Sequence, residues 1–232
     1  MALLSPLILA CVFGSMMLRA PWESMPEAAR PWLAIAALSM TLFGTVQMLL
    51  NTFGLDRQGF RAYVLMPAAR RDILLGKNLG IVPVIGTLSA LLVVCLGIAL
   101  HMRVSHVVAT LLQVVIAFCL YFPIGNFTSI VAPLGMAVGT MRPVSMKYST
   151  ILVQFVAMIL VPVAVVPAMF ALGLETLISE LGGIRNVPVY LLITLVELPF
   201  AVWLYIRLLD LQGQHLQDRE QAILDVISKV AD

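Results

Sequence analysis

The chain has 232 residues, of which 61% are hydrophobic and only 11% are charged, and its formal net charge is +2. A soluble domain carries about 25% charged residues, so this composition predicts an integral membrane protein in a lipid bilayer. The small net charge and the confinement of positive residues to loops argue against nucleic acid as a partner.

Six apolar stretches follow one another along the chain, and a bilayer core about 30 Å thick needs roughly 20 helical residues to cross it. We therefore predict an all-α polytopic membrane protein with six transmembrane helices in one domain, residues 1–208. The predicted spans cover approximately residues 2–18, 33–53, 79–102, 107–130, 150–173 and 188–208. Residues 209–232 are predicted to be a cytoplasmic, polar C-terminal tail. It is helix-friendly and carries a weak apolar stripe made of Leu216, Ile223, Val226 and Ile227.

Two local patterns modify these spans. Pro123 and Gly125 predict a break near the end of the fourth span, because proline removes a backbone donor and glycine adds flexibility. The net acidic, half-apolar segment 174–187 is interpreted either as a surface helix or as a re-entrant helix that dips back into the membrane.

Between the second and third predicted spans lies the basic segment, residues 55–78, LDRQGFRAYVLMPAARRDILLGKN. Its apolar residues recur at near-helical spacing on both sides of Pro67, which predicts two short amphipathic helices with a proline hinge. Loops rich in Lys and Arg stay on the cytoplasmic side. This segment and the loop with Arg142 and Lys147 therefore place both termini in the cytoplasm.

The basic segment also carries aromatic and aliphatic side chains that a merely solvated loop would not need. Any cytoplasmic loop of a membrane protein tends to be basic, and that is the simplest interpretation of its charge. Phe60, Tyr63 and Leu65 instead favour a docking surface, with the charged residues setting its orientation. The candidate docking residues are Asp56, Arg57, Phe60, Arg61, Tyr63, Leu65, Arg70 and Arg71.

The chain lacks the motifs of an enzyme. Gly76-Lys77-Asn78 has neither the upstream glycine nor the Ser or Thr of a phosphate-binding P-loop, so any ATP must be hydrolysed by a partner. We predict no catalytic, cofactor-binding or metal site. Glu197 is the only strongly ionisable residue well inside a span, which makes it a functional candidate or an interhelical hydrogen-bond partner. The candidate pathway residues are Glu197, Gln154, Asn126 and Gln113.

Three stretches, NTFGLDRQGFRAY (51–63), RRDILLGKNL (70–79) and FPIGNFTSIVAP (122–133), resemble the pattern of bacterial type 2 ABC transporter permeases. The resemblance implies a six-helix domain in the bacterial inner membrane whose coupling helix lies between the second and third spans, within the basic segment. It also implies a cytoplasmic ATPase subunit that binds ATP and Mg, and a second permease half. That half would be another copy, a different chain or an upstream half of a longer permease.

The resemblance thus leads us to expect the membrane subunit of an ABC exporter. Members of that group have an amphipathic helix before the first span, whereas this sequence starts directly in a predicted span. This difference favours the interpretation that the chain is a piece of a longer permease. The alternatives are a membrane-embedded enzyme and a channel or assembly factor that works without an ATPase.

Overall fold

The computed structural model describes residues 25–136, 144, 147–182 and 187–228. All secondary-structure elements in these ranges are helices. The α-helices are α1 (Arg30–Gly44), α2 (Val46–Leu50), α3 (Thr52–Asp56), α4 (Phe60–Leu65), α5 (Arg70–Ala99), α6 (Val104–Val131), α7 (Tyr148–Leu160), α8 (Val166–Glu180) and α9 (Val189–Ser228). Three short 3-10 helices span Glu27–Ala29, Arg57–Gly59 and Val161–Val165.

Four helical stretches of the described chain are long and apolar enough to cross a membrane. They are Arg70–Ala99, Val104–Val131, Tyr148–Glu180 and Val189–Ile227, and they contain or overlap the third to sixth predicted spans. The all-α fold class is confirmed, and the four helices indicate a membrane protein. The first predicted span lies outside the described residues.

The second predicted span consists of three short helices, α1 to α3, where we expected one. The first interruption is at Thr45, whose hydroxyl donates to the carbonyls of Thr41 (3.1 Å) and Leu42 (3.0 Å). Hydroxyls that bond to the preceding turn bend helices. The second is at Asn51, whose backbone φ of −136° leaves the helical region. Each piece is therefore shorter than a membrane-crossing helix.

The predicted break in the fourth span is wrong, because α6 continues through Pro123 to Val131. The side chain of Gln212 donates to the Pro123 carbonyl at 2.7 Å. Proline lacks the N–H that would donate to the carbonyl four residues earlier, and membrane helices tolerate this loss without breaking. The acidic segment after residue 173 is likewise a continuation of α8 as far as Glu180.

The chain divides into two compact units. The first unit contains the described residues within 1–45, 82–120 and 162–203, and the second contains those within 46–81, 121–161 and 204–232. A small core of the first unit is built from Ala37, Leu96 and Leu100. A larger core of the second unit consists of Phe53, Phe60, Leu74, Ile130, Leu209, Leu216, Ile223 and Ile227.

The tail is part of that second core. Helix α9 runs from the sixth predicted span to Ser228 without a break, and its buried leucine and isoleucine side chains pack among residues of α3 to α6. Three of the four residues of the predicted tail stripe are buried: Leu216, Ile223 and Ile227. The fourth, Val226, is exposed.

Candidate functional site

The aromatic residues of the basic segment form its interior. Phe60 is 2% exposed and packs edge-on against Phe53, with ring centroids 5.1 Å apart. Tyr63 is half-buried, and its ring centroid lies 6.4 Å from that of Phe60. Such edge-to-face aromatic pairs stabilise a core beyond the area that they bury. Both predicted anchors therefore contribute to the fold of the second unit.

A buried charge pair lies beside these rings. Lys77 forms an ion pair with Asp56, and its ammonium lies 5.3 Å from the Phe53 ring centroid and 5.2 Å from that of Tyr63. Burial raises the pKa of the Asp56 carboxyl, although the hydrogen bond and the charge of Lys77 act in the opposite direction. Burial also raises the pKa of Tyr63, as does the Asp56 charge. This cluster ties the end of α3 to α5.

Arg70 holds the end of α4 in place. Its Nε donates to Glu220 Oε2 at 2.7 Å, in a pair that is largely buried. The two terminal nitrogens donate to four backbone carbonyls, those of Tyr63 (3.0 Å), Val64 (3.1 Å), Met66 (3.2 Å) and Ala68 (3.3 Å). The last carbonyls of a helix have no partner within it, so this guanidinium supplies the donors that α4 and the proline turn require.

The outer surface of the basic segment combines an apolar tip with charges. Leu65 is 84% exposed, and Met66 and Pro67 beside it are also exposed. Arg61 is exposed on the same short helix, and Arg57 is half-buried. Arg71 is exposed as well, and it pairs with Asp210 at 2.6 Å. Of the eight predicted docking residues, Arg61, Leu65 and Arg71 are thus the ones most accessible to a partner.

The stretches 51–63 and 122–133, which carry the resemblance, meet in the second unit. The Asn51 amide donates to the Leu134 carbonyl at 3.0 Å and accepts from the Leu134 N–H at 2.8 Å. Ser129 Oγ accepts from the Phe53 N–H at 2.9 Å. A Cβ on Gly54 would lie 2.0 Å from the Leu134 carbonyl oxygen, so only glycine fits this close approach.

The two predicted pathway residues of the second unit, Asn126 and Gln154, form hydrogen bonds within that unit. Asn126 is buried and donates to Gln212 at 3.3 Å. Gln154 donates to the carbonyls of Leu50 (3.2 Å) and Ala132 (3.1 Å). The two side chains have no partner in common, and both hold neighbouring backbone or side-chain groups in position.

The other two pathway candidates contact each other in the first unit. Gln113 Nε2 donates to Glu197 Oε2 at 2.6 Å and to Thr194 Oγ1 at 3.0 Å. Glu197 is half-buried, whereas Gln113 and Thr194 are buried. This contact agrees with the interhelical hydrogen bond that we weighed for Glu197.

Gln113 and Glu197 belong to a longer polar ladder that joins α6 to α9 and, through Glu175, to α8. Its other contacts join Thr110 to Tyr190 at 3.3 Å and His106 to Glu175 at 2.5 Å. Glu175 also accepts from the Tyr190 backbone N–H at 2.6 Å. The ladder residues repeat at intervals of four and three on each helix, 106, 110 and 113 opposite 190, 194 and 197, as residues on one helix face do.

Sequence reasoning missed several of these residues. Glu220 and Asp210, the acidic partners of Arg70 and Arg71, are more than 130 positions away in the chain, and no local pattern links them. The polar ladder could have been detected in the sequence, because its polar residues recur at intervals of four and three within otherwise apolar spans. Among the described residues, no group of three or more His, Cys, Asp or Glu is placed to hold a metal ion.

Comparison with protein-family models, curated proteins and solved structures finds no match to this chain.

Proposed function

We propose that this chain is the membrane-spanning subunit of an ABC exporter in the bacterial inner membrane. It has six spans with both termini in the cytoplasm, and it works with a second permease half. A separate cytoplasmic subunit binds ATP and Mg and hydrolyses the nucleotide, and the basic segment 55–78 couples that reaction to substrate export.

The observation that supports this proposal is the exposed apolar tip of the basic segment, Leu65, Met66 and Pro67, at the end of a helix that the protein holds in a fixed position. Leu65 projects from a six-residue helix, α4, whose end is held by Arg70 and whose inner face is closed by Phe60. Leu65, Met66 and Pro67 are consecutive exposed apolar residues, and contiguous apolar patches with a polar rim are typical of protein interaction sites. A short helix with a fixed geometry also loses little conformational freedom on docking.

The charges around the tip favour a protein partner with an acidic rim. Arg61, on the same short helix as Leu65, and Arg71 are exposed, and exposed charges mainly affect the association rate and the orientation of the partner. Because Phe60 lies in the core, we assign the main apolar contact to Leu65, with Met66 beside it.

The test is assembly with a Walker-motif ATPase whose reading frame adjoins the gene for this chain, co-expressed with it. Replacing an apolar anchor costs about 2 kcal/mol or more, which is roughly a thirtyfold loss of affinity. We expect Leu65→Ser to reduce co-purification and ATPase stimulation by about that factor.

The matched control is Leu181→Ser, because Leu181 is 78% exposed and the proposed topology places it on the opposite side of the membrane. It should assemble with the ATPase as the unmodified chain does. If the Leu65 variant inserts normally and still binds and stimulates the ATPase fully, the docking role of α4 is wrong. Full function without any ATPase would favour a channel or an assembly factor.

A further inference from the structure

A groove in the first unit is apolar except for one carboxyl group. It has a volume of about 350 Å³, within the range of about 300–1,000 Å³ that small-molecule sites occupy. Its lining consists of Ile116, Leu120, Val166, Pro167, Phe170, Glu197, Phe200 and Ala201. The groove is thus formed by α6, α8 and α9 and offers two aromatic rings beside a single polar group.

The Glu197 carboxyl is only partly satisfied by the protein. Oε2 accepts from Gln113, whereas Oε1 has no hydrogen-bond partner within the described ranges. No described Lys, Arg or His forms an ion pair with it. A carboxylate inside a membrane is poorly tolerated unless it is paired, hydrated or protonated. The described residues therefore offer Oε1 neither a cation nor a hydrogen-bond donor.

We propose that this groove binds a lipophilic amine, with the ammonium group on Glu197 and the apolar body between Phe170 and Phe200. The ammonium supplies the missing charge and donates to Oε1. The faces of phenylalanine rings also attract cations. The proposal does not depend on the proposed export function.

The position of Glu197 along α9 separates such a ligand from a lipid headgroup. Glu197 is eight residues from Val189, where the helix begins, which is about 12 Å at a rise of about 1.5 Å per residue. With the sixth span proposed to enter the bilayer near Val189, and a hydrocarbon core about 30 Å thick, this carboxyl would lie well below the headgroups. A free amine with an apolar body can reach that depth, whereas the ammonium of a phospholipid stays at the surface.

The experiment compares two fluorescent probes of the same shape, 1-pyrenemethylammonium and the neutral 1-pyrenemethanol. The chain is placed in phosphatidylcholine nanodiscs, and binding is followed by energy transfer from Trp203, which stacks on Phe200 with ring centroids 5.8 Å apart. Trp22 and Trp32 are replaced by phenylalanine so that only Trp203 reports. Empty nanodiscs give the partition of each probe into lipid.

We expect the ammonium probe to bind at least about tenfold more tightly than the alcohol, a ratio equivalent to about 1.4 kcal/mol. Glu197→Gln keeps the shape of the side chain and should reduce that ratio to within about twofold of unity, while Glu180→Gln, outside the groove, should leave it unchanged. Val166→Phe adds a ring to the groove lining without adding a tryptophan, and it should weaken both probes about tenfold.

The inference is overturned if the unmodified chain does not prefer the ammonium probe. It is also overturned if Glu197→Gln retains the preference, or if Val166→Phe binds both probes as before. No ATPase takes part in these measurements, so their failure would leave the exporter proposal intact. Loss of ATPase docking would in turn leave the amine site intact.

Discussion

Arg70 and Arg71 are adjacent and identical in type, yet their side chains have different surroundings. The Arg70 side chain is 15% exposed and bonds to Glu220 and four carbonyls, whereas that of Arg71 is 43% exposed and bonds to Asp210. A buried pair that loses one partner leaves the other charge without compensation. An exposed pair is worth little because water and salt screen it.

We therefore expect Arg70→Ala to lower the free energy of unfolding by about 3 kcal/mol and Arg71→Ala by less than about 1 kcal/mol. The Arg70 change should also speed hydrogen exchange in α4, because its last carbonyls lose their donors. Thermal unfolding and amide exchange of residues 60–65 measure both effects. Equal losses for the two variants would contradict the structural role of Arg70.

The junction between α2 and α3 shows how one element depends on a distant loop. Asn51 ends the preceding helix by bonding both backbone groups of Leu134, and Gly54 lets the two segments approach. Packing at this point leaves no room for even one added methyl group, and overpacking of a fixed backbone is destabilising.

For that reason Gly54→Ala is expected to destabilise the protein by about 3 kcal/mol. Gly59→Ala is the matched control, because a Cβ there meets nothing within 4 Å. The control should be neutral or raise stability by about 0.5 kcal/mol, since alanine reduces the freedom of the unfolded chain. Folded yield and thermal unfolding in detergent give the comparison. Similar stability of both variants would refute the close contact at Gly54.

The sequence predicts these elements unevenly, for a physical reason. Long apolar runs predict that α5, α6 and α9 exist, and Pro67 marks the end of α4, because hydrophobic period and proline geometry are local properties. The ends are predicted less well: the second short helix expected in the basic segment is the start of α5, which runs from Arg70 to Ala99, and α9 continues to Ser228, beyond the predicted end at residue 208. The division of the second predicted span depends on Asn51 and Leu134, 83 positions apart. The Arg70–Glu220 pair spans 150 positions. Periodicity carries no information about such pairings. For the same reason the sequence favours a docking role for Phe60, whereas the structure packs its ring against Phe53 and Tyr63.

At the scale of the whole molecule, charge decides the proposed orientation. The basic segment carries exposed Arg61 and Arg71, whereas the end of α8 carries the exposed Glu180. Positive loops stay in the cytoplasm, so the two regions are proposed to face opposite sides of the membrane.

Cysteine labelling tests this orientation with two exposed positions, Gln58 and Ser179. In a chain whose three native cysteines are replaced by alanine, a membrane-impermeant maleimide should label Ser179→Cys on intact cells. Gln58→Cys should react only after the membrane is permeabilised. Labelling of the Gln58 variant from outside would reverse the topology, and docking on a cytoplasmic ATPase would fail with it.

The reciprocal pairing of Asn51 with Leu134 has a consequence for the chemical ageing of the protein. Slow hydrolysis converts asparagine to aspartate and replaces an amide donor with a second acceptor oxygen. At this buried position that oxygen would face the Leu134 carbonyl, and two acceptors without a hydrogen between them repel each other at a site with little water. Deamidation at Asn51 is thus a covalent lesion of a single side chain that would disconnect two distant parts of the second unit. In stored samples, the deamidated fraction would be depleted from the folded population.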